Sequence, residues 1–317
     1  MSRKARIHVI GSYAVGMTMN AERFPKEGET VPGYNFKQLH GGKGSNQAIG
    51  AARLGADVKF TSCVGHDMLG DAALAMLAQE GIRTESVFRS STTSTGVGFV
   101  MVGDSGENKI LIGLGANEDL TREHIDEAFA SGFEADILLV QLESNLDSIL
   151  YAMQLAQAKG IPVILNPAPF REIPKGFVEL ATYIVPNETE AMSLLGRNGT
   201  PEQLCQGLHE KFGSNVVLTA GKDGAYYLEK GNGLEPSQVK NLKVQTVKTV
   251  DTTGAGDCFN ATLAVALAEG KSLGEAVHMA NTSATLSVQV EGVVESLPTR
   301  DRVEQMLKLE KNNTDEV

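Results

Sequence analysis

The chain's most informative segment reads Asp251-Thr252-Thr253-Gly254-Ala255-Gly256-Asp257-Cys258-Phe259-Asn260. An apolar, β-branched run at residues 247–250 precedes it, and a helix-forming run at residues 261–269 follows it. A strand, a small-residue turn and a helix in this order form an anion cradle, because the free amides of a helix N-terminus attract phosphate oxygens. The glycines let a ligand reach the backbone. Asp257 is then a candidate base, although it could equally be a simple helix cap.

The composition is that of a globular protein with a large core. The chain has 317 residues, of which 42% are hydrophobic and 21% are charged. Its net charge of -11 argues against a nucleic-acid partner or an anionic membrane. The scattered Cys63, Cys205 and Cys258 suit neither a disulfide framework nor a zinc site, and no apolar run is long enough for a signal peptide or a membrane span. We therefore expect a cytoplasmic protein.

Short runs rich in valine and isoleucine alternate with helical patterns along most of the chain. The strand-like runs lie at residues 6–11, 58–64, 137–140, 162–165, 183–185 and 216–219. Helical patterns follow at residues 69–80 and 146–159. This alternation predicts an α/β fold in which a mostly parallel sheet has helices on both faces.

Two segments break this alternation. Residues 13–40 have no helical period and are expected to be extended, and residues 96–115 contain two alternating runs around a Gly-Asp-Ser-Gly turn. Both are typical of antiparallel strands added to a parallel core, which indicates a small β-sheet beside the core that is either a lid over the site or an edge decoration. We expect a single domain over residues 1–317 that contains these lid segments, with a flexible polar tail at 311–317.

A second glycine-rich segment, Gly41-Gly42-Lys43-Gly44-Ser45-Asn46, opens a predicted helix over residues 46–54. The glycines permit close approach to the backbone, while Lys43 and Asn46 add a cation and an amide. Such a loop suits a polyhydroxylated ligand, and a tight turn with a solvated lysine is the alternative. The spacing is not that of a P-loop, and residues 11–16 lack the dinucleotide fingerprint, which argues against a nicotinamide enzyme.

Polar groups follow several of the predicted strands. They are Gln141-Leu142-Glu143, Asn166-Pro167-Ala168-Pro169, Pro186-Asn187-Glu188-Thr189-Glu190 and Thr219-Ala220-Gly221-Lys222-Asp223-Gly224. Ligands of open α/β sheets bind beyond the carboxyl ends of the strands, so these groups are expected to converge at one edge. Asn187 and Glu190 would share one face of a helix, where a capping pair is the structural alternative.

Together these motifs resemble those of the ribokinase-like family of carbohydrate kinases, from residue 7 to about residue 298. The two specific signatures are the loop Gly41–Asn46 and the segment Asp251–Asp257. The resemblance implies a three-layer α/β/α core with a mostly parallel sheet and a small β-sheet lid. It also implies ATP-dependent phosphorylation of a hydroxyl on ribose or a related small sugar.

The resemblance assigns roles to the motifs. Asp257 would be the general base, and the turn Gly254, Ala255, Gly256 and Asp257 would form the anion hole for the transferred phosphoryl group. The sugar would be held by Gly41, Gly42, Lys43, Asn46, Glu143 and Asp257. The nucleotide would be bound by Asn187, Thr219, Ala220, Gly221, Lys222, Asp223, Gly224, Gly256 and Asn281.

Metal ions and an assembly are implied as well. Mg²⁺ would accompany ATP, and Asn187 and Glu190 would act on it through its water shell. A monovalent cation, K⁺, would activate the enzyme from a site formed by Asp251, Thr253, Ser287, Val290, Gly292 and Ser296. Lid sheets would pair in a homodimer, since exposed sheet edges benefit from cover.

One segment departs from the family's pattern. After the first strand the family usually has an asparagine and an aspartate that bind sugar hydroxyls, whereas this chain has Ala14 and Gly16. A missing carboxylate should cost a few kcal/mol with ribose, because sites built for a hydroxyl discriminate strongly. A deoxy sugar, a ketohexose derivative or a nucleoside therefore stays open as the acceptor. A catalytically silent sugar-binding regulator is the alternative from another class.

Overall fold

The computed structural model describes residues 3–231 and 238–315. Its strands are β1 Arg6–Ile10, β2 Ala14–Ala21, β3 Tyr34–Gly41, β4 Asp57–Gly65, β5 Arg83–Ser90, β6 Gly96–Gly103, β7 Asn108–Gly113, β8 Ile137–Val140, β9 Val163–Leu165, β10 Tyr183–Ile184, β11 Asn215–Thr219, β12 Ala225–Leu228 and β13 Lys240–Leu242. Its α-helices are α1 Lys43–Arg53, α2 Met68–Gln79, α3 Arg122–Ala130, α4 Leu146–Ala158, α5 Glu188–Leu195, α6 Pro201–Phe212, α7 Ala255–Ala268, α8 Leu273–Ser287 and α9 Arg300–Asp315.

The large sheet has the strand order β13-β12-β11-β10-β9-β8-β1-β4-β5. Strands from β11 to β5 pair in parallel, and β12 and β13 are antiparallel additions at one edge. Successive residues of β8 enter opposite apolar clusters, with Leu138 on one face and Leu139 on the other. Helices α1, α7 and α8 cover the second face, and α4, α5 and α6 cover the first. The predicted three-layer α/β/α fold is therefore confirmed.

The small sheet consists of β2, β3, β6 and β7, in the order β3-β2-β6-β7, and is called the lid below. It contains the strands predicted in segments 13–40 and 96–115. The hairpins β2–β3 and β6–β7 are antiparallel, but the central pair β2–β6 is parallel. Both of these strands leave the same edge of the core in the same direction. The root of the lid is tied by a 2.6 Å hydrogen bond between Tyr13 Oη and His40 Nδ1.

Three boundaries differ from the sequence predictions. The β-branched run 247–250 is not a strand, and its Val250 is 56% exposed, because β13 already ends the sheet on that side. Helix α1 begins earlier than expected, at Lys43 within its glycine motif. The segment 311–317, expected to be a flexible tail, continues α9 through Asp315, and residues 316 and 317 lie outside the described part of the chain.

No helix in the described ranges 3–231 and 238–315 is long and apolar enough to cross a membrane.

Candidate active site

The two glycine-rich motifs meet beyond the carboxyl ends of the parallel strands. Asp257, which is 5% exposed, lies in the first turn of α7. Its Oδ2 accepts a 2.8 Å hydrogen bond from Asn46 Nδ2, and its Oδ1 accepts one of 2.9 Å from Gln47 Nε2. The cap of α7 is Gly254, which has φ 77° and no side-chain cap bond. The interpretation of Asp257 as a helix cap is therefore wrong, because its carboxylate is directed at α1.

Backbone packing explains several of the glycines in these motifs. A β-carbon at Gly254 would lie 2.4 Å from Val293 Cγ1, and one at Gly44 would lie 2.5 Å from Ser12 N. At Gly256, by contrast, a β-carbon would meet nothing within 4 Å. Gly44 and Gly254 therefore allow close packing, whereas Gly256 leaves open space beside the amides of the turn.

The predicted acceptor residues come together around Glu143. Its Oε2 accepts bonds from Lys43 N at 2.9 Å and from Ser12 Oγ at 2.6 Å. Burial opposes the charge of Lys43, but Asp257, Glu143 and Glu190 outweigh that effect and raise the pKa of its ammonium. The Oδ1 atom of Asn46 is buried and has no partner among the described residues. Such an atom is available to a ligand hydroxyl.

The departure at Ala14 and Gly16 lies on lid strand β2. Gly16 pairs with Leu39 of β3 and with Gly98 of β6. A β-carbon at Gly16 would meet only Leu39 O, at 3.8 Å. The position is therefore open, and nothing nearby forbids a larger side chain.

A cleft of about 860 Å³ lies beside the turn that precedes Asp257, and Ala255 and Gly256 of this turn line it. Predicted nucleotide residues that line it are Asn187, Thr219, Gly221, Lys222, Asp223, Gly224, Gly256 and Asn281. Ala220, the ninth, is 5% exposed and does not line the cleft. Phe259 and residues 244–247 line it too, although sequence reasoning did not assign them to the nucleotide site. The size suits a nucleotide-sized ligand.

Asn187 and Glu190 form the capping box of α5. Asn187 Oδ1 accepts from Glu190 N at 2.9 Å, while Asn187 N donates to Glu190 Oε2 at 2.9 Å. The helix-capping pair that the spacing of these residues also allowed is therefore present. Burial raises the pKa of Glu190, which is also within reach of the charges of Lys43 and Asp257. The pair thus caps a helix and borders the site at once.

The residues proposed for a monovalent cation lie on two adjoining loops and at the end of α8. Asp251 Oδ1 accepts from Thr253 N at 2.9 Å, and Asp251 Oδ2 accepts from Gly292 N at 3.1 Å. These hydrogen bonds outweigh desolvation and lower the pKa of Asp251. The rest of the set lies at the end of α8, which is Ser287, and on the second loop after it, where Val290 N donates to Ser287 O and Ser296 Oγ donates to Val293 O.

The second loop also contacts the lid, through an ion pair of 2.6 Å between Lys37 Nζ and Glu291 Oε1. In the described part of the chain, no group of three histidine, cysteine or acidic side chains could hold a metal ion.

Sequence reasoning missed Ser12 and Gln47 as members of the site, and it placed Gln141 at the same edge of the sheet without giving it a role. Gln47 was detectable in principle, since it follows Asn46 at the start of a helix that was already assigned to the site. Ser12 offers no such signal, because its contact with Glu143 spans 131 positions of the chain.

Comparisons with known proteins identify the family of the chain. A family model described as pfkB family carbohydrate kinase matches residues 4–300. The ribokinase of Haemophilus influenzae is 37% identical over 304 residues, which cover 95% of this chain and 97% of that protein. The deoxyribokinase of Salmonella typhi is 33% identical over 308 residues, covering 96% of this chain and 99% of that protein.

Among solved structures, the ribokinase of Arabidopsis thaliana complexed with ribose and ATP has a TM-score of 0.87 and 31% identity, with 96% of this chain and 99% of that chain covered. The family match and the identities extend over nearly the whole chain, including both glycine motifs. This chain is therefore a carbohydrate phosphotransferase and belongs to the pfkB family of carbohydrate kinases.

Proposed function

We propose that this enzyme transfers the γ-phosphate of ATP to a hydroxyl of a small sugar, in the manner of a ribokinase. One observation carries the proposal. Asp257 is held by Asn46 on the acceptor side, while Gly256 of the same turn lines the nucleotide cleft. The carboxylate therefore lies between the two substrates, where a base for phosphoryl transfer is required.

In this proposal Asp257 accepts the proton of the acceptor hydroxyl as its oxygen attacks the γ-phosphorus. The backbone amides of the turn from Gly254 to Asp257 lie at the start of α7, where they stabilise negative charge on the transferred group. Glu143 and Asn46 orient the acceptor hydroxyls through oxygens that accept hydrogen bonds. Lys43, whose raised pKa keeps it charged, balances the surrounding carboxylates.

Asn187 and Glu190 offer amide and carboxylate oxygens, which fit Mg²⁺ bound through water. When bound with ATP, Mg²⁺ would neutralise phosphate charge. Both side chains already bond each other, so indirect contact suits them better than direct coordination. The loops carrying Asp251, Thr253 and Gly292 offer carboxylate, hydroxyl and carbonyl oxygens, which fit K⁺ as an activator.

The acceptor is ribose or a related carbohydrate. A ribokinase relative and a neighbour complexed with ribose and ATP support ribose. The deoxyribokinase relative supports a deoxy sugar, and the side chains missing at Ala14 and Gly16 favour an acceptor with fewer hydroxyls or greater bulk there. A ketohexose derivative and a nucleoside fit the same open space.

We further infer a homodimer that pairs through the lid. Phe99, Ile110, Leu111 and Ile112 of the lid are between 49% and 71% exposed. Adjacent apolar side chains on a small sheet are stabilised by cover from a second sheet. We also infer a cytoplasmic location, because the three cysteines are free and buried, as in a reducing compartment.

A coupled ADP-release screen tests the proposed function. The purified protein, with MgATP and K⁺, is offered pentoses, deoxypentoses, ketohexoses and nucleosides, and the Asp257→Asn variant is the control. We expect release that depends on the acceptor and is absent in the variant. ADP release that no acceptor raises above the variant's level would contradict the proposal.

A further inference from the structure

We propose that Gln47 is a positioning residue for Asp257, at the centre of a buried chain of amides formed with Gln141 and Asn166. This inference rests on the proposed function, in which Asp257 is the general base. Gln47 does not act on the substrate itself. It fixes the direction in which the carboxylate of Asp257 presents its free lone pairs.

The amide of Gln47 is fully buried, and each of its atoms has a partner. Its Nε2 donates to Asp257 Oδ1 at 2.9 Å and to Asn166 Oδ1 at 3.1 Å. Its Oε1 accepts from Gln141 Nε2 at 2.5 Å. The two acceptors on one side and the donor from Gln141 on the other together determine which end of the Gln47 amide faces Asp257. A reversed amide would direct an oxygen at the carboxylate, and two acceptors repel each other.

The chain of amides is anchored on several elements of the core. Gln141 follows β8, and Asn166 follows β9 and donates from Nδ2 to Val185 O at 2.9 Å. A β-carbon at Gly11, after β1, would lie 2.0 Å from Gln141 Oε1, so the glycine there leaves room for the amide. The orientation of Asp257 is thus tied to the ends of three neighbouring strands.

Asn46 and Gln47 contact the same carboxylate but differ in which of their amide atoms have no hydrogen-bond partner among the described residues. Asn46 keeps a buried Oδ1 without a partner among the described residues, which an acceptor hydroxyl can use. Gln47 has used both N–H groups and accepts through its oxygen. Gln47 can therefore influence the reaction only through Asp257, which distinguishes positioning from substrate binding.

The two donated bonds have a consequence for proton transfer. A carboxylate has about four lone-pair sites, and the amides of Asn46 and Gln47 occupy one on each oxygen of Asp257. The proton taken from the acceptor must enter one of the remaining sites. Fixed amides therefore select the lone pairs of Asp257 that face the acceptor.

The test is the Gln47→Glu variant, which keeps the shape of the side chain and its acceptor for Gln141 but places an oxygen opposite Asp257. We expect kcat to fall about 100-fold, the loss typical of a misplaced reacting group. The acidic limb of the kcat–pH profile should move to higher pH, because a neighbouring carboxylate disfavours the ionised base. The KM for ATP should stay within about twofold, since the nucleotide cleft is unchanged.

Gln141→Glu is the second variant, and it does not touch Asp257. It replaces the donor to Gln47 Oε1 with an acceptor, so one of the contacts that orient the Gln47 amide is lost and the amide is held less firmly. We expect a smaller fall in kcat with the same direction of pH shift. Gln154→Glu on the exposed side of α4 is the matched control, with activity unchanged. Circular dichroism and ATP affinity show which variants are folded.

The outcomes separate this inference from the proposed function. Wild-type kcat and an unmoved pH profile in folded Gln47→Glu or folded Gln141→Glu overturn the positioning role. If both Gln47→Glu and Gln141→Glu fail to fold, the amide chain serves stability and the positioning role is likewise overturned. Turnover that survives in Asp257→Asn instead removes the base assignment itself.

Discussion

Asn46 donates from Nδ2 to Oδ2 of Asp257 over 2.8 Å, although the two residues are 211 positions apart in the chain. This contact joins the first turn of α1 to the first turn of α7. The loop proposed for the acceptor and the turn proposed for the phosphoryl group thereby share one wall. A reaction between two substrates needs this proximity, because it removes the entropic cost of bringing them together.

Replacement of Asp257 by asparagine should abolish phosphoryl transfer. The amide has nearly the same shape but cannot take the acceptor proton, so we expect turnover to fall by about 1,000-fold or more. ATP affinity should stay nearly unchanged, because the cleft is lined by other residues. ADP release and calorimetric ATP titration measure the two quantities. Turnover close to that of the wild type would remove Asp257 as the base.

Gly16→Asp should improve the use of ribose. The position is open, and the new carboxylate could accept bonds from sugar hydroxyls, so we expect kcat/KM for ribose to rise about tenfold or more. Gly16→Asn adds a side chain of similar size without the charge, so its kcat/KM for ribose should rise less than that of Gly16→Asp. If neither ribose nor any other pentose is used better by Gly16→Asp, then the open position does not concern sugar hydroxyls.

Activity should rise with K⁺ concentration in the wild type, and Asp251→Ala should weaken that response. The carboxylate of Asp251 accepts hydrogen bonds from both Thr253 and Gly292. Its loss therefore removes the link between the two loops and also removes a proposed ligand of K⁺. A K⁺ titration at constant ionic strength, with Na⁺ as the balancing ion, measures the response. A flat titration in the wild type would eliminate the cation site.

Stability should fall as the pH drops below 6.5, because of the buried His8. Burial, aided by the charge of Lys59, lowers the pKa of His8 to about 3 from its ordinary value of 6.5. Below pH 6.5 the unfolded chain therefore binds a proton that the folded chain does not, and folding loses free energy. Between pH 6.5 and pH 5 the loss should be about 2 kcal/mol.

Urea unfolding of the wild type and of His8→Gln at pH 7, 6 and 5 measures that loss. Glutamine at position 8 keeps a hydrogen-bonding partner for Thr61 Oγ1, which lies 2.8 Å from His8 Nε2. The free energy of unfolding of His8→Gln should vary less across this range than that of the wild type. The proposed titration is contradicted if the two proteins lose stability in parallel.

Local patterns predicted the parts of this fold that rest on burial. The run Ile137–Val140 was identified as a buried strand because both of its faces are apolar, and β8 has these bounds. The run 247–250 also contains β-branched residues, but it has no neighbouring strand to pair with. The strand predicted at residues 247–250 is therefore absent because the sheet already ends at β13. Where a sheet ends is determined by the tertiary arrangement and not by local strand preference.

The site was predictable where side chains follow strand ends, and less so where contacts cross the chain. Glu143 and the residues after β11 lie where the parallel-sheet rule places them. The contact of Gln47 with Asp257 requires α1 and α7 to pack side by side, and no local pattern encodes that packing. The helix capping by Asn187 and Glu190 was visible in the sequence, because capping depends on spacing alone.

The parallel pairing of β2 with β6 has a consequence for how the protein folds. The chain between these strands forms β3, α1, β4, α2 and β5, so the centre of the lid closes a long loop through the core. Closing such a loop costs entropy that is recovered only after the intervening elements are in place. We therefore expect amide protection to develop in the core strands before it develops between β2 and β6. An acceptor site that the lid completes would then form only at the end of folding, so that partly folded chains would bind nucleotide before they bind sugar.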